Sequence, residues 1–279
     1  MIFDSTRWLR MLFLLVLSST VWAGDGWRLV WHDEFNKDGP PDPKNWDYEH
    51  GFVRNKELQW YQPENAFCTN GMLIIEARPE HNPNPIFSAG GKDWRTKRQW
   101  IDYTSASLVT KQKHEFTYGK FEMRARIDTR LGSWPAFWTI GDTKPHRSWP
   151  ACGEIDIMEF YTSKVLANIC YGRGGKQVWS TVRKPLDDLG GESWSKEFHS
   201  WTMVWNSKSL DLLLDGKVMN HFDVAKADDG DGGNPFHEPL YLILNQAIGA
   251  TGGDPSKTKF PVRYEIDWVR VYQRDDKAP

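Results

Sequence analysis

Short runs of alternating apolar and polar residues, broken by turn residues, fill this chain, and no stretch keeps a helical period beyond about two turns. Successive side chains of a strand point to opposite faces, so such runs can bury one side only by folding as sheet. Residues 73–78, 121–127 and 201–205 read as strands, and the run 210–214 ends in Asp215 and Gly216, a pair that favours a two-residue hairpin turn. Strands at this spacing predict an all-β chain, two antiparallel sheets packed as a sandwich or jelly roll. Two stretches, 79–99 and 220–239, are rich in Pro, Gly, Asn or Asp and read as long loops able to wall a groove.

One expected strand, 153–160, carries three carboxylates among apolar residues: Glu154, Asp156 and Glu159. Alternation puts Glu154 and Asp156 on one face and Ile155 and Ile157 on the other, but it would send Glu159 into the greasy layer. One extra residue at Ile157 or Met158, a β-bulge, returns Glu159 to the face of Glu154 and Phe160 to the core. Clustered carboxyl groups cannot all ionise, so one pKa must rise, which divides acid from base. Two such groups about 5–5.5 Å apart are what retaining cleavage of a glycosidic bond needs, one as nucleophile and one as proton donor. A solvated polar face is the plain alternative for such a run.

Just upstream, Trp134, Ala136 and Trp138 share one face at strand spacing. Indole faces cover the C–H side of pyranose rings. With 16 Trp in 279 residues, not every indole can be core, and Trp134, Trp138 and Trp149 are candidate sugar contacts. Trp94 and Arg95, in the first long loop, and Trp100, just past it, are further ones.

The segments 31–35, 118–124, 134–138, 154–159 and 266–272 resemble, in that order, glycoside hydrolase family 16, and the ExDxxE run is similar to its laminarinase-like, endo-β-1,3-glucanase branch. The resemblance implies a β-jelly-roll sandwich with a concave substrate cleft and retaining double displacement. Glu154 matches the nucleophile, Asp156 the assisting acid and Glu159 the acid/base. Asn55 and Asn245 match cleft positions that bind sugar, Asn55 on the glycone side. Ser107 stands where many laminarinases carry Arg, which removes a sugar contact found in them. The implied activity is internal cleavage of β-1,3- or mixed β-1,3/1,4-glucan. Alternatives on the same scaffold are galactan hydrolysis of the agarase, porphyranase or carrageenase type, transglycosylation, and non-catalytic glucan binding. For sulfated galactans Arg54, Arg95, Arg98 and Arg173 are available cations. No cofactor is required, although the resemblance implies a structural calcium held by Asp267 and by backbone at Glu34 and Gly71.

Residues 1–23 read as an export signal: Arg7 and Arg10 precede an apolar run, 11–17, far shorter than the roughly 20 residues that span a bilayer, with a small-residue cleavage site at Ala23. A secreted or periplasmic enzyme with no membrane span after cleavage is expected, with 24–279 as one domain. Net charge is −2 with both signs interleaved, which leaves no electrostatic footprint for nucleic acid. A monomer acting on a neutral or weakly charged polysaccharide is expected. Three cysteines, Cys68, Cys152 and Cys170, allow at most one internal disulfide. The acidic run 228–233 lacks the spacing of an EF-hand loop.

Overall fold

The computed structural model describes residues 26–142, 147–228 and 233–274, together with the backbone of Trp22–Ala23. The expected export segment, apart from those two residues, lies outside the described residues, as do positions 229–232 of the acidic run.

The alternating runs pair into two stacked, mainly antiparallel sheets. The cleft-bearing sheet runs in the order Lys176–Pro185, Lys164–Arg173, Glu154–Tyr161, Ser133–Gly141, Leu240–Ile248, Ser107–Val109 and Asp47–Tyr48. The opposite sheet is built on His199–Trp205, Gly119–Arg126, Val262–Arg274 and Met72–Pro83. Gln59–Tyr61 joins it through Tyr103–Ser105 in a parallel pairing. The architecture is the expected jelly-roll sandwich.

Between the sheets lies one continuous core, to which Phe121, Met123, Trp201, Met203 and Tyr264 contribute from one side and Phe137, Ile155, Phe160, Val165 and Leu244 from the other. Each such side chain fully buried stabilises the fold by about 1.5–3 kcal/mol. At the predicted hairpin, Asp215 and Gly216 both take positive φ, 48° and 73°, the geometry whose twist matches the strands it joins.

The two expected long loops are shorter than their composition implies. Met72–Pro83 continues as strand against Trp100–Ser105, and the chain beyond it folds around the short helix Trp94–Lys97. Pro79 sits at a break in the ladder and Pro83 at the strand's end, positions where a missing donor costs little. In the second stretch Lys217–Asp223 is strand, followed by 3-10 turns at Val224–Ala227 and Pro235–His237. His199 opens a strand and stacks on Trp194 with centroids 4.0 Å apart, a structural role.

Candidate active site

The strand Glu154–Tyr161 carries the expected bulge. Its ladder to Ser133–Gly141 pairs Trp138 with Asp156 but Phe137 with Met158, so Ile157 is the extra residue. On the other side Asp156 faces Asn168 while Glu159 faces Leu166, a slip at the same point. Ile155, Ile157, Met158 and Phe160 therefore enter the core, and Glu154, Asp156 and Glu159 line a cleft of about 740 Å³ on the opposite face.

Each acid has its own donors. The Trp149 indole N–H donates to Glu154 Oε2 at 2.7 Å, and the Trp134 N–H to Glu159 Oε1 at 2.9 Å. Asn168 Nδ2 donates to both Asp156 Oδ2, at 3.0 Å, and Glu159 Oε2, at 2.7 Å. Asp156 lies between Glu154 and Glu159 along the strand and interacts with both carboxyl groups.

Burial is the main reason all three carboxyl groups hold protons more tightly than usual. Glu154 is pushed up to about 7, by burial first and by the charge of Glu159 second, against the opposing pull of the Trp149 N–H and Arg54. Asp156, enclosed between its neighbours, is raised well above the ordinary range by burial and then by both glutamates. Glu159 is raised by burial, with Trp134, Asp156 and Asn168 pulling the other way. The three groups interact, so their protons are shared across the trio and do not belong to single residues. Such a set offers a carboxylate that can ionise near neutrality beside carboxyl groups whose hold on their protons is strengthened, which suits nucleophilic attack coupled to proton donation.

On one side of the acids a hydrogen-bonded chain forms the wall. Trp138 Nε1 donates to Asn245 Oδ1 at 2.8 Å, Asn245 Nδ2 to the Tyr61 hydroxyl at 3.0 Å, and Asn55 Nδ2 to Glu57 Oε1 at 3.1 Å. Gln59 Nε2 fixes the other Glu57 oxygen at 2.7 Å. Burial raises the Glu57 pKa against the opposing pull of Arg54. The Arg54 guanidinium lies 5.0 Å over the Trp138 ring and pairs with Glu49. Burial works against its charge, but Glu49, Tyr61 and Glu57 outweigh that and hold its pKa high. Ser107, where an Arg contact was expected to be missing, is buried and donates to Glu49 Oε2 at 2.7 Å, so it anchors Arg54 indirectly.

All the candidate cleft residues, Asn55, Trp134, Trp138, Trp149 and Asn245, line the same cleft as the acids. Trp134 and Trp138 are 9 % and 8 % exposed, so they serve as much by their N–H groups as by open faces, whereas Trp149 is 44 % exposed. The loop candidates do not line it. Arg95 donates to the Phe52 and Val53 carbonyls at 2.8 and 2.5 Å, and Trp94 packs against Phe52 with centroids 5.9 Å apart. Trp100 stacks on His81 at 4.4 Å. Of the four cations available for a sulfated chain, only Arg54 reaches the cleft. Asn168, Tyr161, Trp179, Thr181 and Arg183 line it too and were missed, because no local pattern marks a residue whose role depends on which strand lies beside it.

Of the residues the resemblance gave to a calcium ion, Glu34 and Gly71 would act through backbone and Asp267 through its carboxylate, and both side-chain carboxylates have Arg partners. Asp267 accepts a hydrogen bond from Arg124, and Glu34 takes both Nε and Nη2 of Arg270 at 2.8 Å. Among the described residues no three His, Cys, Asp or Glu side chains cluster closely enough to hold a metal ion. The three cysteines are buried and unpaired; burial raises Cys68 to about 12 and Cys152 to about 11, which leaves them inert as nucleophiles. A second cavity, of about 640 Å³, is lined by Arg126, Arg130 and Arg263, but Glu265, Asp128 and Glu76 already pair with them. No helix among the described residues is long and apolar enough to cross a membrane.

Comparison with known proteins places this geometry. The sequence model described as glycosyl hydrolases family 16 matches residues 58–270. The chain is 35 % identical to a beta-glucanase of Rhodothermus marinus over 88 % of its own length and 85 % of that protein's. Its fold superposes with a TM-score of 0.74 on the laminarinase catalytic domain of Thermotoga maritima, at 33 % identity, covering 90 % of this chain and 100 % of that one. A structure described with endo-acting O-glycanases that members of the human gut microbiota express to initiate mucin breakdown superposes with a TM-score of 0.82 at 32 % identity, covering 91 % and 93 %.

Proposed function

The chain belongs to glycosyl hydrolase family 16, and from that premise we propose that it cleaves internal β-1,3 linkages of a glucan, or of a mixed β-1,3/1,4-glucan, with retention of configuration. One observation carries the reading: the bulge at Ile157 puts Glu154, Asp156 and Glu159 on one face of a single strand, all lining the same cleft, as two carboxyl groups working in double displacement must be. Glu154, ionised, attacks the anomeric carbon while Glu159 gives its proton to the departing glycosidic oxygen. The bond from carbon to that oxygen breaks as the glycosyl ester to Glu154 forms. Glu159 then takes a proton from water, which attacks the same carbon and releases Glu154. Asp156, between the two glutamates, is itself held protonated by burial and by their charges. The polymeric substrate and the apolar run after Arg10 together favour a secreted or periplasmic location.

The test is direct. Glu154→Gln should abolish turnover of laminarin while oligosaccharide binding survives, and the first product released by the wild type should carry the β anomer by NMR. Near-normal turnover in the variant, or an α product, would rule the assignment out.

A second reading, internal cleavage of a mucin O-glycan, is favoured by the O-glycanase superposition, which at almost the same identity is closer than the laminarinase one, 0.82 against 0.74. Reducing-sugar release across laminarin, lichenan, agarose, carrageenan and mucin O-glycans separates the two.

A further inference from the structure

Internal cleavage requires sugars to be held on both sides of the broken bond. The acids sit on a strand in the middle of the sheet. On one side lie Ser133–Gly141, Leu240–Ile248 and the Arg54–Asn55 wall; on the other, only Lys164–Arg173 and the outer strand Lys176–Pro185 supply floor. Register carries the catalytic rows across to that outer strand. Glu154 faces Cys170, which faces Trp179; Asp156 faces Asn168, then Thr181; Glu159 faces Leu166, then Arg183. Two strand spacings of about 4.8 Å set Trp179 and Arg183 ~10 Å from the acids, beyond the sugar under attack but within reach of the next ones.

Among the described residues Trp179 has no ring partner and Arg183 no carboxylate partner. The Trp179 indole is 41 % exposed, with no ring partner and no hydrogen bond among the described residues, although it lines the cleft. Arg183 lies beside the Tyr161 hydroxyl and belongs to no ion pair among the described residues, whereas Arg54 on the opposite wall is paired to Glu49. An indole left open in a groove is covered favourably by the C–H face of a pyranose, and a guanidinium without a carboxylate offers several donors to that ring's oxygens.

We propose that Trp179 and Arg183 form a binding subsite for the leaving portion of a β-linked glycan, Trp179 as the platform under a pyranose ring and Arg183 as the donor to its oxygens. The proposal rests on the glycosidase reading of the same cleft and names the half that holds the departing chain.

The experiment compares two substrates. Laminari-oligosaccharides place sugars on both sides of the cut; a 4-nitrophenyl β-laminaribioside places only an aryl group on the leaving side. Trp179→Ala should lower kcat/KM on the oligosaccharides about tenfold or more while aryl glycoside hydrolysis stays within about twofold. Arg183→Ala should show the same split, roughly three- to tenfold, with partial recovery in Arg183→Lys. Equal losses on both substrates, or no loss on the oligosaccharides, would overturn the subsite. A wild type that cleaves neither substrate would overturn the glucan reading and this subsite together, an outcome distinct from an active wild type whose variants fail to split.

Discussion

At the residue scale, Glu154 links structure to pH dependence. Its pKa is pushed up to about 7 by burial and by Glu159, and the nucleophile must be ionised. The acid limb of kcat/KM should therefore fall as pH drops through about 7. Trp149→Phe keeps the ring but removes the N–H that favours the ionised form, so that limb should move up by about one pH unit. An unchanged or lowered limb would mean that Trp149 does not tune Glu154. The acids themselves were legible in the sequence because three carboxylates in one apolar strand are conspicuous by residue type. Asn168 was not, since an Asn on the next strand becomes a bridging donor only when register sets it opposite Asp156.

At the element scale, the stretch 84–99 holds the cleft wall in shape instead of touching sugar. Arg95 donates to the carbonyls of Phe52 and Val53, and Arg98 to those of Lys56, at 2.7 Å, and Glu57. Their guanidinium groups flank Trp94, at 4.8 and 4.9 Å from its ring. Between those carbonyls Asn55 and Lys56 both take left-handed backbone, φ 54° and 55°, a conformation that costs a non-glycine residue energy unless its surroundings enforce it. Arg98 is thus a positioning residue for Asn55. Arg98→Ala should raise KM roughly three- to tenfold with kcat nearly unchanged and cost about 1–3 kcal/mol of stability. If kcat falls with KM unaltered, the wall is not what Arg98 supports. Composition marked this stretch only as a loop, because its carbonyl partners lie some forty residues earlier in the chain.

At the scale of the whole molecule, the cleft is bought with stability. A carboxyl whose folded pKa lies above its unfolded value favours folding only while protonated, so the contribution of Glu154 is present below about 4.5 and lost as pH rises through about 7. Glu154→Gln, which cannot ionise, should raise the melting temperature at pH 8, by an amount corresponding to on the order of 1–3 kcal/mol, and the gain should shrink towards zero near pH 4. A variant less stable than the wild type at pH 8 would contradict this. The sequence by itself determined the two-sheet sandwich, a bulge at Ile157 or Met158 and the single face shared by Glu154, Asp156 and Glu159, because strand period and residue type are local properties. Only the tertiary structure decided that Arg54 rests on Trp138, that Arg95 and Arg98 clasp the wall and that Trp179 and Arg183 share the groove with the acids. Those meetings depend on strand order and loop packing between residues distant in the chain, and no local pattern encodes them.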